Sequence, residues 1–188
     1  MNKNDLRVIK TKTTLYNTLK ELMQEKTFEE IKVSDICSKA LINRSTFYAH
    51  YNDKYELLAA FIAELKKSLT DELNKNTNIS NTKEYYLEMI KLFLSHIEEK
   101  RETYLAIMLN NRSSITMDII YDVLDHDITT KLQEKKYPAQ NIPSNIIVKF
   151  YLGGVINVGL VWLKNKNLYT KEELIEYFNH LIPNNLNF

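Results

Sequence analysis

Three glycines and three prolines are all that punctuate the 188 residues of this chain. Hairpins and strand-rich folds use both freely, because tight turns need the positive φ of glycine or the fixed φ of proline. A chain short of both has few places to reverse sharply, and its apolar residues recur at helical spacing instead. Leu15, Leu19, Leu22 and Met23 form the stripe of a first helix over about residues 5–26. Val33, Ile36, Cys37 and Ala40 stand at i, i+3, i+4 and i+7, predicting a short second helix, and Asn43 is placed to cap a third over 44–51. Asp53 with Glu56 predicts a capping box for a fourth, whose stripe runs through Leu58, Phe61, Ile62, Leu65, Leu69 and Leu73. The Asn-rich stretch NKNTNISNTK (74–83) then marks a boundary. Beyond it, helices are expected at about 84–99, 102–110, 114–136, 144–166 and 171–182. The loop YPAQNIP (137–143), a Thr170/Glu173 capping box and Pro183 separate or end them. The expected fold is all-α, with about nine helices: a three-helix head over 1–54, a connecting helix over 55–74 and a helical body over 75–188.

Charge is divided unevenly along this scaffold. The net charge is +1, yet residues 1–67 carry 12 Lys/Arg against 9 Asp/Glu, leaving the remainder acidic. A basic head on an acidic body points to a polyanionic partner for the head alone. The single cysteine, Cys37, has no internal partner, and its place on the apolar face of the second helix suits a small core side chain. The start, MNKNDLRVIK, lacks the apolar region of a signal peptide. The most apolar run, 145–163, has an uncharged part of only 14 residues, against about 20 for a bilayer span. A cytoplasmic protein without a membrane partner is expected.

The segment NRSTFYAHYNDKYELL (43–58) is the densest in chemistry. On a helical wheel Phe47 and Tyr51 share one face, while Ser45 and Ala49 lie opposite, flanked by Thr46 and Tyr48, with Arg44 and His50 nearer the buried edge. A helix whose outermost residues are tiny can sink into a groove and reach the walls with its flanking groups. A DNA major groove about 12 Å wide suits it. Helix 33–40, the turn at 41–43 and this helix together make a helix-turn-helix arrangement. Lys54 stands at the start of the following helix, where its charge adds to unpaired N–H groups and favours a phosphate. Periodicity alone is equally satisfied by a short amphipathic helix serving only as core.

Residues 28–62, FEEIKVSDICSKALINRSTFYAHYNDKYELLAAFI, resemble the DNA-binding domain of the TetR family of bacterial transcriptional regulators. That family's T-V-x-D-I-A-x-x-A-G-V-S-x-G-T-F-Y-x-H-F-x-x-K-x-x-L run is matched by Val33, Asp35, Ile36, Ala40, Thr46, Phe47, Tyr48, His50, Lys54 and Leu57, with Tyr51 in place of Phe. The resemblance implies that Arg44, Ser45 and Thr46 approach base edges or nearby phosphates. It implies phosphate contacts for Tyr48, His50 and Lys54, with Phe47 and Tyr51 seating the helix. Two positions depart from the pattern. Leu41 stands where the family has its turn glycine, at a cost of roughly 1 kcal/mol if the left-handed conformation is kept. Lys32 replaces the usual threonine cap and is a further candidate for a phosphate.

The body offers less. All three glycines fall in GGVINVG (153–159), which suggests close backbone approach to another helix or a ligand. The resemblance extends to 159–182 and implies a homodimer through helices 144–166 and 171–182. It also implies repression of a palindromic operator and a small apolar effector. Met89, Phe93, Tyr104, Met108, Tyr121 and Trp162 are the candidate pocket residues. Asp122, Asp125 and His126 share a helix face that suits a divalent ion or plain solvation equally well. No metalloprotease, phosphate-loop or nucleophile-elbow motif is present, so no enzyme, catalytic residue, metal or cofactor is expected. The alternative is a DNA-tethered module whose body binds a protein partner instead of a small effector.

Overall fold

The computed structural model describes residues 3–75, 82–111, 116–123, 144–165 and 167–182. It is helical throughout, with no strand among the described residues. The helices are α1 (Lys3–Glu25), α2 (Val33–Ala40), α3 (Arg44–Tyr48), α4 (Lys54–Leu73), α5 (Thr82–Glu99) and α6 (Arg101–Asn110). Then come α7, described over 116–123, α8 (Ser144–Lys164) and α9 (Lys171–Leu181). The expected all-α class holds. The loop 137–143, Pro183 and most of the Asp122/Asp125/His126 face lie outside the described residues.

The chain divides into two compact units. The first comprises Met1–Glu64 with Glu102–Ile120, the second Leu65–Arg101 with Tyr121–Phe188. Thus α6, read from sequence as part of the body, packs with the head. Asn111 is the reason. This side chain is 1% exposed; it accepts from Phe28 N–H at 2.5 Å and donates to Met23 O at 2.9 Å and Ile107 O at 2.8 Å. Asn110 adds a bond to Gln24 O at 2.7 Å.

The core of the first unit is the one the periodicity predicts. Leu15, Leu19, Leu22 and Met23 of α1 meet Ile36, Cys37 and Ala40 of α2, with Phe28, Phe47, Leu57 and Leu58 closing around them. Cys37 is a free, buried thiol, and burial pushes its pKa up, as befits a packed side chain and not a reactive one. At the start of α2, Lys32 provides the extended cap backbone but no side-chain cap; the Asp35 carboxylate takes the Lys32 N–H at 3.2 Å instead. Asp35 also pairs with Lys26 at 2.5 Å. The Lys26 ammonium first, and the Lys32 N–H second, hold the Asp35 carboxyl below its ordinary value.

At the other end of α2, Leu41 adopts φ 55°, ψ 41°. It is the only non-glycine residue with positive φ among those described. Its N–H reaches Ser38 O at 3.3 Å while Ile42 N–H reaches Cys37 O at 3.0 Å, the paired bonds of a Schellman ending. The family's glycine geometry is therefore kept with a leucine in it. At the start of α4, Asp53 Oδ1 caps Glu56 N–H at 2.8 Å, but the Glu56 carboxylate turns to Asn52, taking its backbone N–H at 2.7 Å and its side-chain amide at 2.8 Å. The expected box is thus half formed, its second bond displaced by one residue.

In the second unit α5 packs on α8 and α9. Arg101 binds the end of α8, donating to Trp162 O and Leu163 O at 2.7 Å each, with its guanidinium 5.2 Å from the indole. The Trp162 N–H is taken up by Tyr169 O at 3.0 Å. Thr170 and Glu173 form the expected capping box of α9. The glycines depart from expectation. A Cβ built on Gly153, Gly154 or Gly159 meets nothing within 4 Å, so no described part of this chain requires them.

Candidate nucleic-acid interface

The reading helix is shorter than its periodicity suggests. Asn43 takes the extended cap conformation (φ −75°, ψ 149°) without a side-chain bond, so α3 opens only on backbone bonds from Thr46 and Phe47 to Asn43 O, at 3.0 and 3.1 Å. Five residues later Ala49 closes it, and His50 and Tyr51 follow in a turn, both N–H groups on Phe47 O. A helix this short has little stability of its own. Two aromatic anchors hold it. Phe47 is fully buried, and buried Tyr51 donates its hydroxyl to Tyr16 Oη at 2.9 Å. Burial, then that bond, raises the Tyr51 pKa, so the phenol stays protonated.

What α3 turns outward is polar. Arg44, Ser45 and Ala49 are exposed, Thr46 and His50 are half-buried, and Tyr48 is 55% exposed. The Tyr48 ring meets Phe47 edge-on at 5.4 Å, which fixes the phenol against the buried anchor. Among the described residues no hydrogen bond or ion pair holds the side chain of Arg44, nor that of exposed Lys32. Two neighbouring cations are committed: Lys26 to Asp35, and Lys39 to Glu25 at 2.6 Å.

Lys54 departs from its expected place. Its ammonium donates to three carbonyls, Phe28 O, Glu29 O and Ile31 O, each at 2.8 Å, and lies 4.9 Å from the centre of the Phe28 ring. Burial lowers its pKa. An ammonium has three N–H donors, so in this conformation none is left for a phosphate. Lys54 was placed near phosphate by its position at a helix start, and pattern alone could not show the loop carbonyls beneath it.

Two further cations stand outside the motif. Arg7 and Lys10 line a concavity beside the helix-turn-helix with Thr11, Thr14, Ala40 and Ile42. The Thr11 and Thr14 hydroxyls are turned back onto Arg7 O and Lys10 O, at 2.9 Å each. The spacing 7, 10, 11, 14 places them on one polar face of α1 that flanks the leucine stripe.

The proposed effector candidates fall in both units. Met89, Phe93, Tyr121 and Trp162 belong to the second unit, Tyr104 and Met108 to the first. Trp162 is fixed by Arg101 and Tyr169 as described above. Burial pushes the phenols of Tyr86 and Tyr104 up to about 12.

A short polar helix seated by aromatic anchors behind a tight left-handed turn defines a helix-turn-helix DNA-binding protein. Comparison with known proteins makes the class specific. Residues 15–61 match the model for bacterial regulatory proteins of the tetR family, and residues 84–184 match that for a transcriptional regulator C-terminal region. The chain belongs to the TetR family of transcriptional regulators. It is 28% identical over 151 residues to the HTH-type transcriptional regulator YxbF of Bacillus subtilis, covering 76% of this chain but only 39% of that relative. A TetR transcriptional regulator from Streptococcus agalactiae superposes with a TM-score of 0.59 and 27% identity, over 95% of this chain and 96% of the other. Thermus thermophilus FadR, a transcriptional repressor solved with lauroyl-CoA, superposes at 0.60 with 16% identity, over 90% and 92%. No helix among the described residues is long and apolar enough to cross a membrane.

Proposed function

We propose that the protein is a homodimeric, effector-responsive repressor acting in the cytoplasm on a palindromic operator. Arg44, Ser45 and Thr46 read or approach base edges, and Lys32, Tyr48 and His50 hold the flanking phosphates. The observation that carries this reading is the outward polar face of α3, fixed by Phe47 and Tyr51 and carrying the exposed Arg44 guanidinium. Phosphate contacts orient such a helix, and base contacts select the sequence.

The dimer is supported by α8 and α9. Val161, Tyr169, Tyr177 and Leu181 are exposed large apolar side chains around a shallow groove with Asn157, and Phe150 lies further along α8 at 73% exposure. Gly154 is exposed and a Cβ there meets nothing within 4 Å, which leaves room for a second backbone to approach. An apolar surface of this kind marks an interface. A twofold dimer would present two reading helices to half-sites about 34–36 Å apart, or a multiple of that. For the effector, the lauroyl-CoA bound by FadR supports a small molecule with an apolar part, taken up by the 75–188 body.

The deciding experiment is titration of the purified protein against its own upstream intergenic DNA at two salt concentrations. Wild type should bind a palindrome tightly and with strong salt dependence, and Arg44→Ala should relax its sequence preference. Binding no tighter than to random duplex, with Arg44→Ala unchanged, would count against the operator reading and favour a body that recruits a protein partner. A promoter fusion gives the sign: deletion of the gene should raise expression.

A further inference from the structure

Phe28 is gripped on both sides of its peptide. Its N–H donates to Asn111 at the end of α6, and its carbonyl accepts from Lys54 at the start of α4. Its ring is fully buried, edge-on to Tyr55 at 5.4 Å and beneath the Lys54 ammonium. Both grips are saturated. Lys54 places its remaining donors on Glu29 O and Ile31 O, and Asn111 places its amide on Met23 O and Ile107 O. The orientation of the Asn111 carboxamide follows from its partners, with the acceptor facing an N–H and the donors facing carbonyls. Loop 26–32 is thereby fixed to α4 and α6, and it feeds directly into α2 at Val33.

We propose that Lys54 and Asn111 are positioning residues for DNA binding: they hold the Phe28 peptide, and through it the angle of the α2–α3 pair, without touching DNA. The proposal rests on the operator reading given above. Base-edge hydrogen bonds tolerate only a few tenths of an ångström in donor–acceptor distance, so a re-seated loop upstream of α2 weakens every contact made by α3 together. Removing Asn111 leaves the Phe28 N–H and the Met23 carbonyl without partners in a buried place, which forces such a re-seating. Removing the Lys54 ammonium withdraws a donor from three carbonyls at once, of which Phe28 O keeps the Ile31 N–H. Asn111 shows how this role differs from a phosphate contact, because it is buried and cannot reach DNA.

The test uses full-length protein and a palindromic duplex selected from a random pool by wild type, titrated over a range of salt at a temperature where circular dichroism shows each variant folded. Lys54→Met and Asn111→Ala should each weaken binding about tenfold, on the scale of roughly one buried polar group left unsatisfied. The slope of log affinity against log salt should stay that of wild type. The double variant should lose less than the sum of the two, because both act on one peptide. Lys54→Gln, neutral but still a donor, should recover part of the affinity at the same slope. A Lys54→Met slope shallower by about 0.9 per subunit would mark a phosphate contact and overturn the proposal. So would an Asn111→Ala protein that binds like wild type. Arg44→Ala run alongside separates the two readings: it should relax sequence preference, and its failure to do so would count against the operator assignment instead.

Discussion

The two helices α3 and α8 treat apolar surface in opposite ways. α3 has five residues, buries the single anchor Phe47, and turns polar groups outward. α8 has 21 residues, buries Ile156, Trp162 and Leu163, and leaves Ile146, Phe150 and Val161 exposed. The short helix is finished by its own chain, since its one wholly apolar side chain, Phe47, is covered. The long one is not, and exposed Gly154 lies on the same element. The contrast teaches where each kind of partner sits. A polar face on a rigid anchor suits a polyanion that must be read, whereas an uncovered apolar face suits a second protein surface.

The largest expected effects break this contrast at the anchors. Phe47→Ala should destabilise the first unit by about 3–5 kcal/mol, because a fully buried ring leaves a cavity that five helical residues cannot refill. Denaturant unfolding measures it directly, and DNA binding should vanish with the folded head. The matched change on α8, Phe150→Ala, removes a ring already mostly in water and should shift unfolding by no more than about 0.5 kcal/mol apart from any loss of the dimer. Equal losses from the two substitutions would show that Phe150 is covered after all.

Next in size is the assembly itself. Phe150→Asp combined with Leu181→Asp, at positions 73% and 67% exposed, should convert the proposed dimer to monomer. The dissociation constant should rise about a hundredfold or more, as for charge placed at the core of an interface. Sedimentation velocity reads the change, with helix content by circular dichroism unaltered. A dimer that survives both charges would move the interface elsewhere.

Much of this contrast was legible in the sequence, and the reasons are local. The leucine stripe of α1, the 33/36/37/40 face of α2 and the Phe47/Tyr51 anchor pair follow from a 3.6-residue repeat, and each residue is buried save half-buried Val33. The Thr170/Glu173 box formed because both its bonds lie within four residues. What the sequence hid depends on residues far apart. Nothing near Asn111 announces that it will bind Phe28, 83 residues away. The same blindness misplaced Lys54, since its three carbonyl partners belong to a loop more than twenty residues upstream. The glycines of α8 were expected to admit a close neighbour, and periodicity could not tell a neighbour within the chain from one outside it.

Acid offers a subtler test on α2. Asp35 is held below its ordinary value of 3.8, chiefly by the Lys26 ammonium and then by the Lys32 N–H. The unfolded chain therefore binds the Asp35 proton more readily than the folded one. This contribution to stability is complete above that ordinary value and disappears as pH falls through the depressed folded one. Asp35→Asn should lower stability at pH 6, and its deficit relative to wild type should shrink as the solution is taken towards pH 2. Denaturant midpoints of both proteins across that range measure it. A deficit independent of pH would mean that Asp35 acts as a hydrogen-bond acceptor in either state and that its ion pair with Lys26 contributes little.

The smallest expected effect has the opposite sign. Leu41 ends α2 in the left-handed region at φ 55° and is 91% exposed. Its side chain contributes almost no burial, while its Cβ strains the backbone by roughly 1 kcal/mol. Glycine would relieve that strain and keep both Schellman bonds, which use only the N–H groups of residues 41 and 42. The larger freedom of glycine in the unfolded chain offsets part of the gain. Leu41→Gly should therefore raise the stability of the first unit by about 0.5–1 kcal/mol, seen as a higher denaturant midpoint at constant slope. Leu41→Ala, which keeps the strained Cβ and loses only the exposed isobutyl tip, should leave the midpoint where it is. If alanine destabilised as much as glycine stabilised, the leucine side chain would have to be covered in solution. The turn beside the reading helix would then join α8 as a surface awaiting a partner.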